Sequence, residues 1–137
     1  MRDPSSDCVF LRDDSNGDLW TATSRPIRQP TPYKVRHGAG YSVFDHTHKG
    51  LVSSFRLGVD QTDPVKISVL TLRNEGKARK KLTITWYVEW VLGVNREQTQ
   101  YQIRTSFDEA TQSRFARNYF DEQFAKQVAC AYISARG

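Results

Sequence analysis

Apolar side chains occupy every second position between residues 81 and 92, and no other stretch constrains the fold as strongly. A repeat of two residues is the period of a β-strand buried on one face, whereas a helix would spread these side chains around its circumference. Burying each one gains roughly 1.5–3 kcal/mol. We therefore predict a central strand whose buried face carries Leu82, Ile84, Trp86, Val88, Trp90 and Leu92.

The segment before this strand predicts its pairing partner. Residues 65–73 (VKISVLTLR) form another β-branched run, and residues 74–77 (NEGK) have the composition of a turn. We predict that residues 65–73 and 81–92 form one long antiparallel hairpin. The densest basic cluster of the chain, Lys77, Arg79, Lys80 and Lys81, would then lie at the hairpin tip in water.

The remaining chain reads as short strands separated by turns. Strand-like runs occupy residues 8–12, 19–23, two parts of 33–50, 51–60, 101–106, 113–117 and 126–134, whereas the proline-rich residues 24–32 read as an extended connection. Eight or nine short strands without a convincing amphipathic helix predict an all-β fold, an antiparallel β-sandwich. The length of 137 residues is that of one ordinary domain.

Charge and cysteine usage exclude several classes. The formal net charge is +5, but the basic residues spread from Arg2 to Arg136 among fifteen acids. A nucleic-acid interface needs a concentrated stripe, so no nucleic-acid partner is expected. Cys8 and Cys130 are expected to be unpaired thiols in a reducing compartment. Because no apolar run approaches eighteen residues and no signal peptide is visible, we expect a soluble, cytoplasmic chain without direct membrane contact.

The histidines do not form a convincing metal site. His46 and His48 are two residues apart, so both imidazoles point to one side of a strand, and His37 lies nearby. Zinc requires a third and usually a fourth ligand, and Asp45 would point to the opposite face. We therefore expect histidines that face solvent or pair with carboxylates, with no metal or cofactor bound by this chain.

No catalytic constellation emerges either. The chain has no G-x-S-x-G motif for a serine nucleophile. Carboxylates for glycoside chemistry are conceivable at Asp45, Glu89, Glu97 or Asp108. Strand alternation, however, places Glu89 opposite the indoles of Trp86 and Trp90, so it lacks the apolar pocket that a catalytic acid needs. No residue is assigned a catalytic role.

Exposed aromatic side chains suggest a different chemistry. Tyr33, Tyr41 and Tyr87 offer flat faces, and Arg36 and His37 offer hydrogen-bond donors beside two glycines. Such groups suit sugar rings and their hydroxyls. The alternative is that these tyrosines only close the edge of the sandwich, and the residues alone leave both interpretations open.

Four ordered blocks of sequence carry a family resemblance. They are FLRDDSNGDLWTATSRPIR (10–28), TPYKVRHGAGYSVFDHTHKGL (31–51), DPVKISVLTLRN (63–74) and LTITWYVEWVLGVNRE (82–97). In this order they resemble the N-terminal β-sandwich region of the cellobiose-phosphorylase-like glycoside phosphorylases. Within that group they are most similar to the carboxy-terminal part of the cyclic β-1,2-glucan synthases.

The resemblance implies an architecture. In that family a galactose-mutarotase-like supersandwich precedes an (α/α)6 barrel, which holds the catalytic Asp and the pocket for inorganic phosphate. Residues 1–137 are therefore expected to form a single non-catalytic β-sandwich domain of a much larger enzyme. It would pack on that barrel, help to shape its glucan site and contribute to a homodimer. The alternative is a purely structural docking or dimerisation module that binds no sugar.

The resemblance also implies a substrate class and a site. The ligand would be β-1,2-glucan or another β-glucoside, and the R-H-G-x-G-Y motif assigns Arg36, His37 and Tyr41 to the substrate-binding wall or to an interface. The parent enzyme would be a glycosyltransferase or glycoside phosphorylase that uses UDP-glucose as donor and inorganic phosphate as co-substrate. Its expected location is the bacterial inner membrane, with this part facing the cytoplasm.

Overall fold

The structure, a computed structural model, describes residues 6–120, 123 and 125–135. By internal contacts the chain divides into two compact units, Met1–Val88 and Glu89–Gly137. The assignment of the whole chain to a single domain stays a prediction. Within the described ranges, no helix has the length and apolar character needed to cross a membrane.

The first unit is a two-layer antiparallel sandwich. One sheet has the order β2-β1-β7 and the other the order β3-β4-β5-β6. The strands are β1 (Asp7–Asp13), β2 (Asp18–Thr21), β3 (Lys34–Gly38), β4 (Tyr41–His48), β5 (Leu51–Val59), β6 (Lys66–Asn74) and β7 (Leu82–Val88). The predicted all-β class and antiparallel sandwich are confirmed.

The core of this unit lies between the inner faces of its two sheets. Leu11 of β1 stands opposite Trp20 of β2 in the strand register, and both side chains are fully buried. Alternation along each strand sends every second side chain inward, which explains how short strands supply a continuous core. The buried cluster consists of Val9, Leu11, Trp20, Ala22, Leu51 and Phe55, with Phe44, Leu57, Leu70, Leu72, Leu82 and Trp86 packed against it.

The predicted long hairpin is wrong. All seven residues of β7 pair with β1, from Asp7 opposite Val88 to Asp13 opposite Leu82, whereas β6 pairs with β5. The connection from β6 to β7 crosses from one sheet to the other. Its basic residues are therefore not a hairpin tip, and Lys80 forms an ion pair with the buried Asp13 at 2.9 Å.

The central strand is also shorter than predicted. It ends at Val88, so Trp90 and Leu92 lie beyond it in irregular structure. Leu82 and Trp86 pack against the core, but Ile84 remains 51% exposed. Ile84 lies on the same face as both, and β7 is the edge strand of its sheet. An edge position leaves one flank of a side chain without a neighbouring strand to cover it.

The second unit contains a three-stranded antiparallel sheet of order β10-β9-β8. The strands are β8 (Ile103–Asp108), β9 (Ser113–Asn118) and β10 (Ala129–Tyr132), preceded by the short helix α1 (Arg96–Thr99). Three strands were predicted here, and each is confirmed with slightly different bounds. The helix has only four residues and an Asn95 cap, so it is too short to show an apolar stripe in the sequence.

Both cysteines are free thiols, as expected: Cys8 is buried and Cys130 is exposed. Burial is the main cause that raises the pKa of Cys8 to about 11, and the nearby Asp7 carboxylate raises it further. The Cys8 thiol is therefore protonated at neutral pH and a poor nucleophile.

Candidate functional site

The R-H-G-x-G-Y motif forms a tight hairpin between β3 and β4. Gly38 pairs with Tyr41, so only Ala39 and Gly40 connect the two strands. Gly40 has a φ of +73°, a left-handed conformation that glycine adopts without strain. From the end of β5, the Val59 N–H donates to the Gly40 carbonyl at 3.0 Å. We call this region, with Gly38, Gly40 and Gly58, the glycine end of the sheet.

Gly38 allows the Tyr41 ring to lie directly over the backbone. A Cβ atom at Gly38 would stand 2.3 Å from Cε1 of Tyr41, far inside van der Waals contact. Any side chain at position 38 would therefore exclude the ring from its present position. The ring is 42% exposed, and its other neighbour is the Arg56 guanidinium, whose Cζ lies 5.1 Å from the ring centroid.

Substituting Gly38→Ala should displace the Tyr41 ring. Because the ring is half-exposed and can rotate away, the expected loss of stability is only about 0.5–1 kcal/mol, the worth of an exposed cation–π contact. The Tyr41 ring resonances in an NMR spectrum should shift clearly. Gly58→Ala is the matched control, since its Cβ would meet Tyr41 and Gly40 only at ordinary contact distances. Unchanged Tyr41 resonances in Gly38→Ala would contradict this geometry.

The structure separates the three predicted site residues by face. Arg36 and Tyr41 share the outer face of the four-stranded sheet, because Arg36 stands opposite Val43 and Tyr41 lies two residues before Val43. His37 lies on the inner face, where its Nδ1 is 2.8 Å from Oγ of Ser42. Only Arg36 and Tyr41 can therefore contact one ligand on the outer face.

An ion pair fixes the orientation of Arg36. Its Nη1 lies 2.5 Å from Oδ2 of Asp45, the diagonal neighbour across the ladder. Asp45 also accepts a hydrogen bond of 2.7 Å from Oγ of Ser54. The Ser54 hydrogen bond, and after it the Arg36 guanidinium, lower the pKa of Asp45. Asp45 is thus an ionised acceptor that holds Arg36 in place.

A shallow groove lies on each face of the glycine end. The outer groove, of about 340 Å³, is lined by Tyr41, Arg56, Ile67 and Val69. The inner groove, of about 300 Å³, is lined by His37, Ser42, Leu57 and Lys66. Both volumes are at the lower end of the range for small-molecule sites. Tyr41 and Gly40 border both grooves, so the hairpin turn is the feature that the two sites share.

The expectation of an exposed Tyr33 is wrong. Its ring stacks on His46 with centroids 3.9 Å apart, and its hydroxyl donates to the Thr21 carbonyl at 2.7 Å. Burial is the main cause of a raised pKa at Tyr33. For this residue the alternative interpretation, a tyrosine that closes the sandwich, applies. Tyr87, in contrast, is exposed on β7, as expected.

His46 and His48 point to one side of β4, as the strand period predicts, but both are buried. The prediction that they face solvent is wrong, whereas carboxylate pairing holds for His48, whose Nε2 lies 2.6 Å from Oδ2 of Asp18. His46 Nε2 lies 2.8 Å from Oγ1 of Thr31. A period of two shared with the partly buried Phe44 is the sequence signal for their burial. Within the described part of the chain, no three His, Cys, Asp or Glu side chains converge as a metal site.

Three of the four carboxylates considered for glycoside chemistry, Asp45, Glu89 and Asp108, have structural partners. Asp108 caps a turn by accepting hydrogen bonds from the backbone N–H and hydroxyl of Thr111, and these bonds lower its pKa. Glu89 lies 3.2 Å from the Arg96 guanidinium. A catalytic general acid needs a raised pKa, whereas the pKa values of Asp45 and Asp108 are lowered.

Comparison with known proteins gives a consistent picture. The profile of the family described as "Glycosyl hydrolase 94, supersandwich domain" matches residues 1–137. The chain is 34% identical over 134 residues to the cyclic β-(1,2)-glucan synthase NdvB of Rhizobium meliloti (strain 1021). It is 27% identical over 93 residues to solabiose phosphorylase of Paenibacillus borealis and 28% identical over 85 residues to N,N'-diacetylchitobiose phosphorylase of Vibrio furnissii.

These relatives are much longer than the chain. The match to the synthase covers 96% of this chain but 5% of the synthase. The matches to the two phosphorylases cover 67% and 60% of this chain, and 12% and 11% of the respective enzymes.

Proposed function

The chain belongs to the supersandwich-domain family of glycosyl hydrolase 94, and from this premise we propose that it is a non-catalytic, carbohydrate-associated module. In the whole protein it packs on an (α/α)6 catalytic barrel and helps to shape a glucan site. The carbohydrate class is a β-1,2-glucan or another β-glucoside. This choice is supported by the glucan synthase among its relatives.

The observation that carries this proposal is that Tyr41 and Arg36 share the outer face of the hairpin. The Tyr41 ring offers a flat apolar surface for the C–H face of a sugar. The Arg36 guanidinium uses one edge on Asp45, and its remaining N–H groups are available to sugar hydroxyls. Gly38 leaves room for the ring and Asp45 orients the guanidinium, so both side chains lie on the outer face before a ligand arrives.

The electrostatics support a role without catalysis. Retaining and inverting glycosidases both need two carboxyl groups flanking the bond, one with a raised pKa. Asp45 instead has a lowered pKa and serves as the anchor of Arg36. His37, the third residue of the motif, faces the inner groove. We assign it to the interface with the rest of the protein rather than to the sugar.

The finer expectations for the whole protein are part of the proposal. They are UDP-glucose as donor, inorganic phosphate as co-substrate and a homodimer that includes this module. The location at the inner membrane, with this part on the cytoplasmic side, likewise stays a prediction. Two relatives named as phosphorylases support inorganic phosphate as the co-substrate.

Calorimetric titration with β-1,2-linked glucose oligomers (sophorose series) tests the site. We expect weak binding by the chain, and loss of about tenfold in affinity, or about 1.4 kcal/mol, in Tyr41→Ala and in Arg36→Gln. Tyr101→Ala, which removes a tyrosine that is 82% exposed in the second unit, is the matched control and should bind as the original chain does. Tight binding that survives both substitutions at the hairpin would reject the site.

Activity measurements test the non-catalytic part separately. The purified chain should release neither glucose nor glucose 1-phosphate from these oligomers in the presence of inorganic phosphate. Turnover that persists through purification would overturn this part of the proposal, whatever the binding result.

A structural docking module is the second candidate, and the outer face favours it. Ile67 and Val69 project from β6 on the same face as Tyr41, and all three are exposed. Exposed apolar side chains in one patch are typical of surfaces that bind another protein. This candidate predicts a dimer in light scattering, dissociation by Ile67→Lys, and no response to sugar.

A further inference from the structure

Two arginines stand directly opposite each other on the β8–β9 hairpin of the second unit. Arg104 of β8 is the register partner of Arg117 of β9, and both side chains are exposed. Side chains directly opposite in an antiparallel pair lie about 4.5–5.5 Å apart at Cβ. Like charges in this position destabilise a sheet, so the pair works against the folding of the hairpin unless an anion lies between the guanidinium groups.

No described carboxylate neutralises this pair. Within residues 6–120, 123 and 125–135, the ion pairs involve neither Arg104 nor Arg117. The acid nearest along β8 on the same face, Asp108, is already committed to Thr111. On the opposite face, Arg114 has a partner: its Cζ lies 4.0 Å from the ring centroid of Phe107. The β8–β9 hairpin therefore gives Arg114 an aromatic partner and leaves Arg104 and Arg117 facing each other.

The two arginines border a groove that has other features of a ligand site. It has a volume of about 600 Å³, within the range of small-molecule sites. Ser106 and Phe115, which are register partners, lie next to the arginine pair on the same face. Among the residues that the structure describes, Thr105, Tyr119 and Val128 also line the groove. The groove thus has a cationic part with a hydroxyl, and an aromatic wall.

We propose that this groove binds a phosphate monoester, with Arg104 and Arg117 on the phosphate and the aromatic wall against the organic body. Guanidinium groups match phosphate oxygens in a bidentate fork geometry, and two forks suit a dianion. The Ser106 hydroxyl adds a neutral donor. Phe115 and Tyr119 offer apolar surface that inorganic phosphate would not use. The site lies in the second unit and does not depend on the function proposed for the β3–β4 hairpin.

Titration of the full chain with phenyl phosphate, inorganic phosphate and phenol at 0.15 M salt, an ionic strength of about physiological value, tests the proposal. Phenyl phosphate should bind saturably and more tightly than inorganic phosphate, and phenol should not saturate. Arg104→Gln and Arg117→Gln should each weaken phenyl phosphate about tenfold or more, the effect of losing a charge-assisted hydrogen bond. Arg114→Gln removes the same charge from the same hairpin and should leave the affinity within about twofold.

If a variant folds differently from the original chain, thermal denaturation still distinguishes the outcomes. Without ligand, the double variant R104Q/R117Q should melt at a higher temperature than the original chain, because the like-charge repulsion is gone. Phenyl phosphate should then raise the melting temperature of the original chain but not that of the double variant. Undiminished binding in the double variant, or an equal loss in Arg114→Gln, would overturn the site. Equal affinity for phenyl phosphate and inorganic phosphate would overturn the assignment to an ester.

Discussion

Replacing Trp20 with alanine should lower the free energy of unfolding by about 3–5 kcal/mol. The side chain is 2% exposed and belongs to the buried cluster between the two sheets of the first unit. Its ring also stacks on His48, with centroids 4.5 Å apart. The free energy of unfolding of a domain is only about 5–15 kcal/mol. The cavity left by Trp20→Ala would therefore remove a large part of it. Urea denaturation followed by circular dichroism measures the change.

Leu19→Ala is the matched control for this substitution. Leu19 precedes Trp20 in β2, and alternation turns it to the outer face, where it is 43% exposed. Its truncation should cost less than about 1 kcal/mol. Equal losses for the two variants would mean that β2 does not direct Trp20 into the core, and the two-layer arrangement of the first unit would have to be revised.

Acidification should destabilise the first unit from about pH 6.5 downward, because of His46. Burial, and after it the neighbouring His48, lowers the pKa of His46 below its usual value of 6.5. The unfolded chain therefore binds a proton at a higher pH than the folded chain does. Stability is fully present above the unfolded pKa and falls as the pH decreases through the window between the two pKa values, by roughly 1.4 kcal/mol per pH unit for one proton.

The contacts of His46 give this effect a geometric basis. Its Nε2 already has Thr31, and its Nδ1 is buried without a hydrogen-bond partner among the described residues. A protonated imidazole carries N–H donors on both nitrogens, so one donor would be buried unsatisfied. The titratable neighbours are Tyr33, stacked on the ring, and His48, behind which Asp18 and Lys49 form an ion pair.

Urea denaturation at pH values between 5 and 8 measures how the free energy of unfolding changes with pH. His46→Gln should reduce the loss of stability between pH 6.5 and pH 5, whereas His37→Gln, at the surface of β3, should keep it. The pH range in which Asp13 affects stability lies below this window. Asp13, whose pKa hydrogen bonds from Ser15 and Lys80 lower to about 2, contributes stability above about pH 4 that is lost as the pH falls through about 2. If the loss of stability between pH 6.5 and pH 5 were unchanged in His46→Gln, a group other than His46 would cause it.

The local pattern of the chain predicted most strands but not their partners. Runs such as residues 51–60 and 101–106 became β5 and β8 because a period of two and flanking turn residues act within a few positions. The partner of β7 is β1 rather than β6. Burial of alternate side chains is satisfied by any strand that covers them, so periodicity alone does not choose between partners.

The candidate site was predictable only in part. The glycines of the β3–β4 hairpin and the exposure of Tyr41 follow from the sequence, and the pairing of Arg36 with Asp45 fits strand alternation. The motif places His37 beside Arg36 and Tyr41 in the sequence, although strand alternation sends it to the other face. The sequence gives no signal for Arg104 and Arg117 as a pair, because they are thirteen positions apart in a weakly patterned segment and meet only through the register of β8 and β9.

The central place of β1 in its sheet has a consequence for how the protein is made. β1 lies between β2, which follows it immediately, and β7, whose residue Val88 pairs with Asp7 about eighty positions earlier. On the ribosome the β1–β2 hairpin and the β3–β6 meander can form as they emerge, but one edge of β1 must wait, with open backbone groups, for β7. Until then that edge is a template for wrong pairing with another chain.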